Sequence, residues 1–177
     1  MTASAPVAVP ETPKPEQPPA PVDPNLVAAR ADVTAGRYTA ALAKCAAAPR
    51  PLTGDWLLVD ADALRAIGKK REAADALAAA VAVLDGTAQA EAGYSAAYLR
   101  FHDLHDGAGA LAVLTAGYVD IPGSLFEERG LALHVQILVA AGKRAEAQPL
   151  AQRYLDRFPR GELRARMLPL ARQDAAK

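Results

Sequence analysis

From residue 25 onward, apolar positions recur three and four residues apart, the period of a helix buried along one face. Ala73, Leu77, Ala80, Val81 and Leu84 share such a face, and so do Ala147, Leu150, Ala151, Tyr154, Leu155 and Phe158. Weaker stripes run through Leu57, Ala61 and Leu64 and through Leu131, Val135 and Leu138. Runs of β-branched and aromatic residues alternating with period two are absent, so no sheet is predicted. The pattern predicts helices over 25–35, 38–48, 54–67, 70–84, 88–105, 108–118, 124–141 and 144–158, with a last helix over 161–173.

A second pattern lies on top of the first. A glycine followed five residues later by an alanine occurs at Gly36/Ala41, Gly68/Ala73, Gly107/Ala112 and Gly142/Ala147, in the strings GRYTAA, GKKREA, GAGALA and GKRAEA. The glycines are 32, 39 and 35 residues apart. Each string follows one predicted helix and opens another. Glycine tolerates the positive φ that ends a helix, and the alanine lets the preceding helix pack close. In the fourth copy Pro159 stops the second helix, while Pro149 falls within its first turn or so.

This organisation resembles the tetratricopeptide repeat (TPR), a helix–turn–helix unit with a period of about 34 residues. The resemblance spans roughly residues 22–160. It is most specific over 128–160, where Gly142, Ala147, Pro159 and the string EAQPL (Glu146–Leu150) fall together. It implies an all-α, right-handed solenoid of about four helical hairpins over 25–173, closed by a C-terminal capping helix. It also implies a concave groove for a protein or peptide partner, and no catalysis of its own. Matching the copies gives Arg30, Asp62, Arg65, Phe101, His105 and Gln136 as groove residues. These lack the lysine and asparagine ring with which some members clamp a carboxylate. YLDRFPRGELRARM (Tyr154–Met167) is also similar to the repeat ends of bacterial cell-envelope members of the family.

Composition sharpens the picture at the ends. Eight of the fourteen prolines lie in residues 1–24, with only scattered alanines and valines between them. Such a stretch buries too little to offset ordering entropy, so a disordered Pro/Ala-rich tail that serves as a spacer or tether is expected there. Fully extended it would reach about 75 Å. Residues 174–177 are expected to be a second disordered end. Downstream, alanine dominates the 51% hydrophobic content, as close-packed helices require.

Charge and candidate chemistry narrow the function. Net charge is zero and the pI is near 6.8, which argues against nucleic-acid binding. No apolar run approaches the ~20 residues of a membrane-spanning helix, and no basic-then-apolar start marks a signal peptide. The expected location is cytoplasmic as the sequence stands, or periplasmic if the chain is a processed form. Cys45 has no partner for a disulfide and no cationic neighbour to make it a nucleophile, so it is read as a small core residue. In the string HDLHD, His102 lies one turn from His105 and Asp106, but no third or fourth metal ligand is evident. These are read as surface or capping residues. Glu127 and Glu128 are read as complementing a helix dipole. Trp56 and Tyr98 are read as filling gaps between helices, whereas Phe101 is equally a candidate anchor for a partner's apolar side chain. No nucleotide, metalloprotease or hydrolase motif occurs. The expectation is a non-enzymatic adaptor without cofactor or metal. The alternative is a structural subunit of an envelope complex, or a self-associating repeat protein.

Overall fold

Three of the four predicted glycine turns form the same hydrogen-bonded loop. Gly36, Gly68 and Gly142 have φ of 74°, 83° and 74°. Each donates its N–H to the carbonyl three residues back, and the next residue donates to the carbonyl five back. At Gly142 these bonds are Gly142 to Val139 at 3.0 Å and Lys143 to Leu138 at 2.8 Å. This pairing satisfies carbonyls that a helix end leaves open, and only glycine adopts the left-handed step without a Cβ penalty.

The computed structural model describes residues 23–117 and 126–172. Among these it holds helices α1 (Pro24–Thr34), α2 (Tyr38–Ala47), α3 (Gly54–Ala66), α4 (Lys70–Val81) and α5 (Gly86–Tyr98). A π-helical turn, Leu99–Asp103, follows α5. Then come α6 (Gly107–Gly117), α7 (Glu127–Ala140), α8 (Arg144–Arg157) and α9 (Arg164–Ala171). The described residues are all-α and contain no strand. Residues 1–22 of the tail expected over 1–24, and the end expected over 174–177, lie outside them. Pro24, counted with the tail from its composition, is instead the first residue of α1. The Asp23 side chain caps it by accepting the Asn25 N–H at 2.9 Å, and a proline loses nothing where the helix has no N–H acceptor anyway.

The third copy departs from its predicted register. The helix expected over 88–105 is regular only to Tyr98. It then widens: Leu104 donates to Leu99 at 3.0 Å and Asp106 to Arg100 at 2.8 Å. The left-handed residue that ends it is His105, with φ 54°, not Gly107. Gly107 opens α6, and the buried alanine five residues after the turn is Ala110, whereas Ala112 is exposed. The pair that corresponds to the other copies is therefore His105/Ala110. Glycine-rich GAGALA hid this shift, because Gly107 and Gly109 mimic a turn signal inside a helix start.

Each helix packs on the next, and α1 also meets α3, α4 meets α6 and α5 meets α7. The core is a chain of neighbouring clusters. One joins Leu26, Ala29, Cys45, Trp56 and Val59; the next centres on Ala73, Leu77, Ala80, Ala96 and Leu99. A third joins Ala97, Ala110, Leu114, Leu133 and Ile137, and a fourth Leu131, Val135, Leu138, Ala151, Tyr154 and Met167. The predicted stripes on α4 and α8 supply buried members of two of these. Trp56 is buried among α1–α3, as a gap-filler should be.

Polar side chains lock the C-terminal helices. Tyr154 is fully buried; its hydroxyl donates to Glu128 and accepts the Leu163 N–H at 3.0 Å. Glu128 also accepts the Glu162 N–H at 3.0 Å, and buried Glu127 pairs with Arg157 at 2.6 Å. The two glutamates thus do more than complement a helix dipole: they tie α7 to α8 and to the approach to α9. α8 starts at Arg144, as predicted, and Pro149 sits at its sixth position, just past the first turn. α8 ends at Arg157, before Pro159. On α9, Met167 is buried against α8, while Arg164, Arg166 and Arg172 face solvent.

Candidate functional site

α6 has the sequence GAGALAVLTAG, apolar almost all the way round. A helix of that kind is normally buried on every side. Here Ala110, Leu114 and Gly117 are buried, but Ala108, Ala112, Thr115 and Ala116 are exposed. The reason is the next helix: among consecutive helices, α6 and α7 make the sparsest contact. Between them opens a cleft of about 1000 Å³. Its walls are Leu111, Ala112 and Ala116 from α6, Ile137, Ala140 and Ala141 at the end of α7, and Phe101 and His102 from the π-helical turn. Among the described residues its polar lining groups are His102, His105, Thr115 and Lys143, with no carboxylate. Lys143 pairs with Glu146 at 3.2 Å.

The widened turn shapes one wall. Single π turns inserted in helices recur at functional sites, where the extra residue re-aims side chains. Here the turn is held by Arg100, which pairs with Asp106 at 2.9 Å and with Asp75 at 2.5 Å. The Asp106 side chain also accepts the Gly109 N–H at 2.8 Å, capping α6. That bond and the Arg100 guanidinium hold the Asp106 carboxyl below the ordinary carboxylate range. Asp106 is thereby committed to structure rather than to a ligand.

Along α5 and the turn, rings follow one another at helical spacing. Tyr94 lies 6.0 Å from Tyr98, Tyr98 4.4 Å from His102, and His102 4.8 Å from Phe101. Phe126 extends the row, 5.7 Å from Tyr94. Tyr98 is 44% exposed, so it does not fill a gap between helices as expected; it lies on the surface, its ring tilted against His102. Burial pushes the Tyr94 hydroxyl above its ordinary pKa.

The six groove residues read from the sequence fall in separate places. Phe101 and His105 line the large cleft. Arg30 and Asp62 line a hollow of about 340 Å³ between α1 and α3, with Val33 and Leu58. Arg30 pairs there with Asp55, and Arg65 with Asp62 at 3.1 Å. Gln136, half-buried on α7, lines neither. His102, Leu111, Ile137 and Ala140 were missed as site residues. The signal that points to them is α6 itself, too apolar for a helix with one solvent face.

Elsewhere the reactive types are tied down. Cys45 is 2% exposed, and burial, with Asp60 nearby, pushes its thiol up to about 11. Among the described residues no three His, Cys, Asp or Glu side chains are grouped as metal ligands. No described helix is long and apolar enough to cross a membrane. No family model, curated protein or solved structure matches the chain.

Proposed function

We propose that the protein is a non-enzymatic, TPR-like adaptor that holds a segment of a protein partner against its helical body. The observation that carries this reading is the open apolar cleft between α6 and α7, with Phe101 and His105 in its wall. Three turns of one hydrogen-bonded design, each followed by a buried alanine, support the repeat reading. On that reading the body is a short right-handed solenoid of about four hairpins, with α9 as the polar cap that such stacks require. The hollow lined by Arg30 and Asp62 is a second, more polar place.

The test separates the two places. The wild-type chain, Phe101→Glu and Arg65→Glu are each used to capture partners from the native host, with helical circular dichroism checked first. The captured protein is then purified and titrated calorimetrically. Burying a carboxylate in an apolar cleft carries a large penalty, so Phe101→Glu is expected to weaken binding by about ten-fold or more. Arg65→Glu should leave it nearly unchanged. Equal binding by all three proteins would remove the cleft from the function.

A further inference from the structure

We propose that the α6–α7 cleft takes the first part of the chain's own proline-rich stretch, residues 5–13. This rests on the reading of the cleft as a binding surface and names an occupant for it.

Three observations carry the step. The first is the character of the cleft: an apolar face of α6 exposed beside Phe101 and His102, which line it, with Tyr98 against His102 just outside the lining. Proline-rich segments dock on aromatic-lined grooves because their backbone is already restricted, so little entropy is lost on binding. The second is the sequence of the part that can reach it, APVAVPETP (residues 5–13), which holds three prolines with small apolar residues between them. Its one charged residue is Glu11, and the described cleft lining offers His102, His105 and Lys143, the last already paired with Glu146.

The third is reach. Helix axes pack 8–10 Å apart, so the cleft lies on the order of 30–40 Å from Asp23, the cap of α1. The 22 residues before Asp23 extend about 68 Å at ~3.1 Å per residue. About half of them span the distance, and the rest are left to lie in the cleft. Tethering gives an effective concentration on the order of millimolar, so a weak contact is enough to occupy it about half the time or more.

The experiment uses the full chain. Ser4→Cys is labelled with a nitroxide; the native Cys45 thiol is buried and stays unlabelled in the folded protein. Amide signals are compared before and after reduction of the label. The expected result is paramagnetic loss of about half the intensity or more at residues 98–116 and 137–143, at a level independent of protein concentration. Tyr98→Ala, at an exposed position, and the triple change Pro6→Ala, Pro10→Ala, Pro13→Ala should each reduce that loss without altering the spectrum of α2–α4. Loss confined to α1 and α2, or spread evenly over the surface, overturns the proposal. So does loss in a mixture where label and isotope sit on different molecules, which would assign the cleft to a second copy. If the cleft amides are untouched while Phe101→Glu still abolishes partner binding, the occupant is wrong and the adaptor reading stands. If the cleft amides are broadened and Phe101→Glu leaves partner binding intact, the adaptor reading is what fails.

Discussion

His105 is held at φ 54°, where a Cβ crowds the following carbonyl; Gly142 occupies the equivalent place at 74°. Gly107, by contrast, is the first residue of α6, with open space where a Cβ would stand. The three positions therefore respond differently to substitution. Gly142→Ala should destabilise by about 1 kcal/mol, and His105→Gly should stabilise by a few tenths to about 1 kcal/mol. Gly107→Ala should stabilise by about 0.5 kcal/mol, since it removes backbone freedom from the unfolded chain. Urea titrations of the three variants check the register of the third turn directly. Asp32 offers a pH test at the same scale. Its side-chain hydrogen bonds to Lys44 and Arg37 hold its carboxyl below the ordinary 3.8. A carboxylate with a depressed folded pKa contributes stability above its unfolded value and loses it as pH falls through the folded one. The melting-temperature gap between wild type and Asp32→Asn should be constant near neutrality and close below about pH 4. Little of this was legible in the sequence. An Asp followed five residues later by Arg and twelve later by Lys is no recognisable motif, because the turn at Gly36 brings them together.

The regular helices were legible because their alanines and leucines keep one period for three turns or more. α4 and α8 turn the stripes expected of them to the core, burying Ala73, Leu77, Ala80 and Val81 on one and Ala147, Ala151 and Tyr154 on the other, with Leu150 and Leu155 half-buried beside them. The π-helical turn was not legible, since LRFHD differs from a helical stretch only through tertiary restraints: Arg100 is pulled toward Asp75 on α4 and Asp106 at the start of α6. The missed cleft has a related cause. Composition marks α6 as buried, and nothing local says that α7 stands away from it. α8 shows the opposite case, a local flaw tolerated by its setting. Pro149 removes the N–H that would reach Ala145, yet its ring is exposed and the helix continues to Arg157. Pro149→Ala should therefore stabilise by about 1 kcal/mol or more, read as a higher denaturation midpoint. Tyr154→Phe on the same helix should cost about 1–3 kcal/mol, because the Leu163 N–H and Glu128 lose their shared partner. If the proline change proved neutral, the helix would already have adapted its backbone to the missing bond.

Across the molecule, stability is built from neighbours. Each cluster shares helices with the next, and none joins the two ends of the chain. Where packing is confined to neighbours, the free energy of opening need not be uniform, and the thinnest junction decides where the structure divides. That junction is α6 to α7, bridged by Leu114, Leu133 and Ile137. Ile137 is 1% exposed, so Ile137→Ala leaves a cavity and should cost about 2–4 kcal/mol. The cost should be local. Native-state hydrogen exchange is expected to show amides of α7, α8 and α9 losing protection together, while those of α2, α3 and α4 keep theirs. An equal loss in both halves would mean that the helices unfold as one cooperative unit despite the sparse junction. The same division bears on the cleft. A segment seated between α6 and α7 touches both sides of the weak junction, so its binding must raise the protection of α7–α9. The cleft is therefore both the place where the body parts most easily and the place where an occupant stabilises it most.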